Sequence, residues 1–189
     1  MSLPSHANAA TGAAHSRYDP VTIAFHWLTA ALVVFLFGSA FWWSHAPRAL
    51  SQHRLLENLH VSFGITLVAV IVLRFLWRLL RGRRLPMAVS GLAGIASKGV
   101  HFLLYLLVAV QLGLGFSLRW MQGEALSFFG LFSIPGPFTP DRAFAHQLQD
   151  LHNLCGWAIV IVAGGHALMA LIHHYALGDG VLRRMLPAS

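Results

Sequence analysis

Four stretches of the chain are long, apolar and nearly free of charge, and polar or basic segments separate them. They run from Val21 to Trp43, from about Leu59 to Leu80, from about Gly99 to Met121, and from Asp150 to Tyr175. Each reaches the roughly 20 residues a helix needs to cross a hydrocarbon core of about 30 Å. Backbone groups find no water there, so each stretch predicts a helix that satisfies its own hydrogen bonds. A fifth apolar piece, Leu126 to Ile134, is too short to span and runs into Pro135, Gly136, Pro137 and Pro140. It is expected to lie on the membrane surface or dip back into it. The pattern predicts an all-α integral membrane four-helix bundle over residues 17–189. Residues 1–16, rich in Ala, Ser and His without an apolar run, read as a disordered tail.

Composition agrees. Of the 189 residues, 57% are hydrophobic and 10% charged, a balance foreign to soluble globules. The formal charge of +7 raises the question of nucleic acid. The arginines answer it, because they cluster at span ends and not on a stripe, so no nucleic-acid partner is expected. With four spans both termini fall on one side. That side holds Arg17, Arg78, Arg81, Arg83, Arg84, Lys98, Arg183 and Arg184. The opposite side holds Arg48, Arg54, Arg119 and Arg142, with acids beside them. The asymmetry predicts cytoplasmic termini. Trp42 and Trp43 close the first span at headgroup level. The one cysteine, Cys155, lies within a span, and no C-x-x-C-H attachment motif is present.

Histidine position carries the chemistry. His152 and His166 share the last span, fourteen residues apart. That is about 21 Å along a helix and returns to within roughly 40° of the same face. Alternating span direction puts His60 level with His152, and His26 level with His166. Each pair joins two imidazoles from different helices at one depth, which suits bis-histidine ligation of a haem inside a bundle. Two haems stacked this way form an electron path between the faces. His101 enters the third span near the depth of His26 and His166, so three candidates compete for two places, and spacing does not exclude it. Arg74 lies within the second span on the face of His60, at the level of His166. A charge there needs an anion, and a haem propionate is the natural one. Snorkelling is the plainer alternative. His45, His53, His146, His173 and His174 read as ordinary interfacial residues.

Leu59 to Ile71 and Leu151 to Ala163 share the form Leu-His-x-x-x-Gly before an apolar run. Gly64 and Gly156 then sit on the ligand face one turn later, where a flat macrocycle can approach the backbone. Gly164 and Gly165 are the counterparts before His166. Helix–helix contact is the competing explanation for all four.

Val21 to Trp27 (VTIAFHW), Asn58 to Gly64 (NLHVSFG), Gly99 to Tyr105 (GVHFLLY), Leu151 to Trp157 (LHNLCGW) and His173 to Pro187 (HHYALGDGVLRRMLP) stand in order at suitable spacing. Together they resemble the bacterial cytochrome b561 family, related to the cytochrome b subunits of nickel–iron hydrogenases, over nearly everything after residue 16. The resemblance implies a four-helix bacterial inner-membrane protein with two b-type haems. It implies the ligands His26, His60, His152 and His166, which favours these over His101. It also implies a link to the quinone pool, with ubiquinone as a further cofactor and, in some members, superoxide oxidation.

Bis-histidine ligation fills both axial positions and points to outer-sphere electron transfer. The expected function is a di-haem b-type cytochrome carrying electrons across the inner membrane. Arg119 and Arg142 are expected to lend the outer face positive potential for a small anionic oxidant, beside any soluble redox partner. Two other classes are distinguishable. A membrane-anchor subunit of a hydrogenase or dehydrogenase would co-purify with a large soluble partner. A haem-free, histidine-based metal-binding protein would lack a haem spectrum, and opposed imidazoles lack the extra ligands most such metals want.

Overall fold

A computed structural model describes residues 17–45, 51–82, 85–86 and 91–187. Four long helices dominate: α1 (Pro20–His45), α2 (Ser51–Leu80), α3 (Gly91–Met121) and α4 (Arg142–Ile172). All four are long and apolar enough to cross a membrane. The protein is an all-α four-helix membrane bundle of the kind its four apolar spans predict. Outward faces carry Val34, Phe75, Phe102 and Ile161, each more than 60% exposed, where lipid replaces water as the neighbour. The expected tail over residues 1–16 lies outside the described residues, as do Arg48, Arg83 and Arg84 of the charge asymmetry.

Local chemistry sets the helix starts. Pro20 occupies the first position of α1, where its missing N–H costs nothing. Asp19 before it accepts from the Thr22 backbone N–H at 2.9 Å and from the Thr22 hydroxyl at 2.7 Å. Asp19 also accepts from the Trp77 indole at 2.9 Å, which ties the start of α1 to the end of α2. Asp141 caps α4 in the same way, accepting from Ala143 and Phe144 N–H at 2.9 and 3.0 Å.

Helix ends exceed the apolar runs. α2 begins at Ser51, within what reads as a polar connector, because Arg54, Leu55, Leu56 and Glu57 are all good helix formers. α3 begins at Gly91 and α4 at Arg142, each well before the membrane-length segment. Past α4 the chain widens into a π-helical turn, His173–Leu177, which Gly178 ends with φ +64°, and a 3-10 turn follows at Leu182–Met185. Leu126 to Ile134 forms an antiparallel hairpin, β1 (Leu126–Phe128) with β2 (Phe132–Ile134), in the register Leu126↔Ile134 and Phe128↔Phe132.

The helices associate as two antiparallel pairs, α1 with α2 and α3 with α4. A central cluster of Leu32, Leu67, Val70, Val108, Cys155 and Ile159 joins the pairs midway. At one end the hairpin packs on α2 and α3. At the other, the first and last described residues meet: Tyr18 N–H donates to Arg184 O at 3.1 Å, and Arg17 to Pro187 O at 3.2 Å. These are called the hairpin end and the terminal end below.

Candidate functional site

The slot between the two helix pairs receives one histidine from each side at each end. His60 of α2 faces His152 of α4 at the hairpin end, with ring centroids 6.3 Å apart and planes 72° from parallel. His26 of α1 faces His166 of α4 at the terminal end, at 6.4 Å and 71°. Two imidazoles bound to opposite sides of one metal ion, at about 2.0 Å per bond, have centroids roughly 6.2 Å apart. Both pairs fit that arrangement. His101 of α3 is different: its ring lies 4.9 Å from His166, too close for the two to flank one iron, and its Nδ1–H donates to Ser97 O at 2.6 Å. Among the described residues no cluster of three or more His, Cys, Asp or Glu side chains is arranged to hold a metal ion.

The hairpin-end half of the slot is a cavity of about 1180 Å³, lined by His60, His152, Gly64, Gly115 and Gly156 among others. Such a volume exceeds that of most small-molecule sites, about 300–1,000 Å³, and has room for a large cofactor. Gly64 behaves as its spacing suggests: it is buried, and a Cβ there would meet only open cavity. A Cβ on Gly156 would touch the Gln111 amide at 3.4 Å. Gly164 and Gly165 are exposed and face open space, so at the terminal end the backbone lies open. Within the cavity His152 Nδ1 and Gln111 Oε1 are buried with no hydrogen-bond partner among the described residues. Buried polar atoms are normally satisfied. An apolar-walled cavity with two facing imidazoles, an orphaned ring nitrogen and glycine-thinned walls fits a haem.

Side chains that the sequence pattern does not single out hold these rings. Ser39 of α1 places its hydroxyl 3.3 Å from His60 Nδ1. The Gln111 amide nitrogen lies 3.2 Å from His152 Nε2. Gly115 is closest of all: a Cβ there would stand 2.9 Å from His152 Cε1. One signal was available in the sequence, since Gln111 is a lone polar residue in an apolar run and Gly113 and Gly115 follow it.

Arg74 is half-buried at the terminal end. Its guanidinium lies over the Tyr105 ring at 5.3 Å and donates to the Thr29 hydroxyl at 3.4 Å. Among the described residues it forms no ion pair. Arg119 is different from its expected role. It pairs with Glu57 and, at 2.6 Å, with Glu124, so two carboxylates neutralise the charge read as a steering group. Of the two arginines only Arg142, exposed at the cavity rim, remains for that task.

A family profile described as prokaryotic cytochrome b561 matches residues 17–188. Cytochrome b561 homolog 2 of Escherichia coli (strain K12) is 32% identical over 174 residues, 92% of this chain and 93% of that protein. A protein of Yersinia pestis named probable superoxide oxidase CybB is 31% identical over 175 residues, 92% of this chain and 97% of its own length. Cytochrome b562 of Cereibacter sphaeroides is 29% identical, covering 89% of this chain and 94% of that one.

Proposed function

The chain belongs to the prokaryotic cytochrome b561 family and is a bacterial membrane b-type cytochrome, and from that premise we propose that it holds two b-type haems and carries electrons between the two faces of the inner membrane. The observation that carries this reading is the pair of matched imidazole separations, 6.3 and 6.4 Å, at opposite ends of one slot. His60 and His152 hold the haem at the hairpin end, and His26 and His166 the one at the terminal end. When bound between these histidine pairs, haem would supply one-electron ferric–ferrous chemistry.

The residues around it supply orientation, charge and insulation. His152 and His166 ride on one continuous helix, about 21 Å apart, so their spacing is fixed by α4 itself. Ser39 and Gln111 orient the hairpin-end rings. Arg74, held by Tyr105 and Thr29 in a setting where an unmatched charge is costly, is placed to bind a propionate. His101 has its Nε2 without a hydrogen-bond partner among the described residues, beside His166, and serves to bond a propionate or move a proton, not as a ligand. The basic residues at the terminal end favour a cytoplasmic position for it, and the hairpin end then faces outward.

The physiological couple we propose is quinone-linked. Two superoxide ions each lose one electron and leave as dioxygen, and one quinone takes up those two electrons with two protons to become quinol. The likeness to a protein named as a probable superoxide oxidase supports this choice of donor. The test uses sealed proteoliposomes with ferricyanide inside and superoxide generated outside. Internal ferricyanide should be reduced by wild type and not by His60→Ala or His26→Ala. Reduction that persists in either variant would contradict a path through both ends.

A further inference from the structure

Among the described residues the hairpin Leu126–Ile134 has an apolar tip that is largely exposed, with Phe129 alone of its three large side chains meeting α2. Leu131 is 78% exposed, Phe132 51% and Phe129 44%, and no charged residue occurs from Ala125 to Pro140. We propose that this hairpin is embedded in the membrane, with its tip covered by the acyl chains of the surrounding leaflet, and that it plugs the gap between α2 and α3.

Depth is the first argument. Trp43, in the aromatic belt that ends α1, packs edge-on against His60 at 4.9 Å, so His60 marks the headgroup level. Ser62 and Phe63 follow on α2, roughly 3–5 Å deeper at about 1.5 Å per residue. The hairpin is fastened at that depth. Ser62, 2% exposed, has its hydroxyl 2.8 Å from Asn58 O and 3.1 Å from Ser127 O, and it accepts from Phe129 N–H at 2.9 Å. Phe129 meets Phe63 edge-on at 5.2 Å. The tip thus lies below the tryptophan belt, continuous with the lipid-facing side of the bundle.

Backbone accounting is the second. Irregular chain is tolerated in hydrocarbon only where its N–H and C=O groups find partners. Here the strands pair with each other, Leu131 N–H closes the turn on Phe128 O at 2.8 Å, and the Trp120 indole donates to Ile134 O at 3.3 Å. Ser62 adds partners from α2 for Ser127 O and Phe129 N–H. A hairpin built to stand in water would not need a buried hydroxyl to satisfy its turn.

The opposite side of the hairpin shows what it is for. Leu126, 2% exposed, reaches the cavity wall, while α2 and α3 flank it. With lipid outside and Leu126 inside, the hairpin closes the cavity laterally, and entry is left to the polar rim near His53, Arg142 and His146. None of this depends on the identity of the cavity's occupant.

The experiment places nitroxide labels at Leu131→Cys, Phe132→Cys and Gln52→Cys in the full chain reconstituted in phospholipid vesicles. Wild type, with its buried Cys155, gives the background. Gln52 is exposed at the start of α2, about 15 Å beyond Ser62, and reports the water side. The proposal predicts loss of relaxation by water-soluble nickel chelate and gain of relaxation by oxygen at 131 and 132, with the reverse at 52. Nickel relaxation at 131 and 132 equal to that at 52 would overturn it and would mark the tip as a water-facing docking surface for a soluble partner.

Discussion

The two histidine pairs have almost the same separation but unlike surroundings. At the hairpin end the rings are held by contact, Ser39 on His60 and Gln111 and Gly115 on His152, beside a large cavity. At the terminal end the neighbours are charged or titratable: Arg74 over Tyr105, His101 beside His166, and open glycines instead of a wall. One site is shaped by packing and the other by electrostatics. Changes of volume should therefore register at the hairpin end, and changes of charge at the terminal end.

The largest expected effect is outright loss at one end. His152→Ala should remove the hairpin-end haem and leave the terminal-end one, read as half the wild-type haem per chain. Loss of both would mean the ends are not independent. Next is Gly115→Ala, whose methyl would stand 2.9 Å from the His152 ring. Ring displacement should shift the low-spin electron paramagnetic resonance of the hairpin-end haem, and overpacking should cost about 1–3 kcal/mol of stability. Gly113→Ala, exposed with nothing within 4 Å, is the matched control and should leave the spectrum unchanged.

Arg74→Gln probes the other end. Losing a cation near a haem disfavours the electron-rich ferrous state. The terminal-end midpoint potential should fall by on the order of 1 kcal/mol, about 40 mV for a one-electron couple, while the hairpin-end potential stays put. An equal shift at both ends would erase the distinction drawn here.

The smallest effect concerns the turn after α4. There the His173 ring donates to Asp179, and this hydrogen bond, more than any nearby charge, holds the Asp179 carboxyl below its ordinary range. A carboxyl whose folded pKa is depressed contributes stability that is complete above its unfolded value and lost as pH falls through the folded one. Loosening of this exposed turn is thus expected only below about pH 4. Asp179→Asn should remove the dependence, seen as faster amide exchange near Gly180 that no longer varies with acid.

Much of this arrangement is legible in the chain because a bilayer leaves few choices. Spans of about 20 apolar residues must be helices, and alternating direction fixes depth, so His60 falls level with His152 and His26 with His166 before any coordinates are known. Gly64 and Gly156 follow from the same helical period. What escapes is whatever depends on rotation about helix axes and on irregular chain. Gly115 and Gln111 face His152 only because α3 packs closely on α4, and nothing in local periodicity fixes that angle. Arg119 reads as a free cation, but Glu57, distant in sequence, and Glu124, across a turn, both close on it. Leu126 to Ile134 is apolar enough for the membrane, yet its hairpin form depends on Ser62, more than sixty residues away.

The most direct test of the account is the haem content and reduced-minus-oxidised spectrum of purified protein, compared among wild type, His166→Ala and His101→Ala. The account predicts two low-spin b haems per chain in wild type, one in His166→Ala, and two in His101→Ala. A single haem in wild type, or loss of a haem in His101→Ala with retention in His166→Ala, would contradict the assignment of His26 and His166 as the terminal-end ligands.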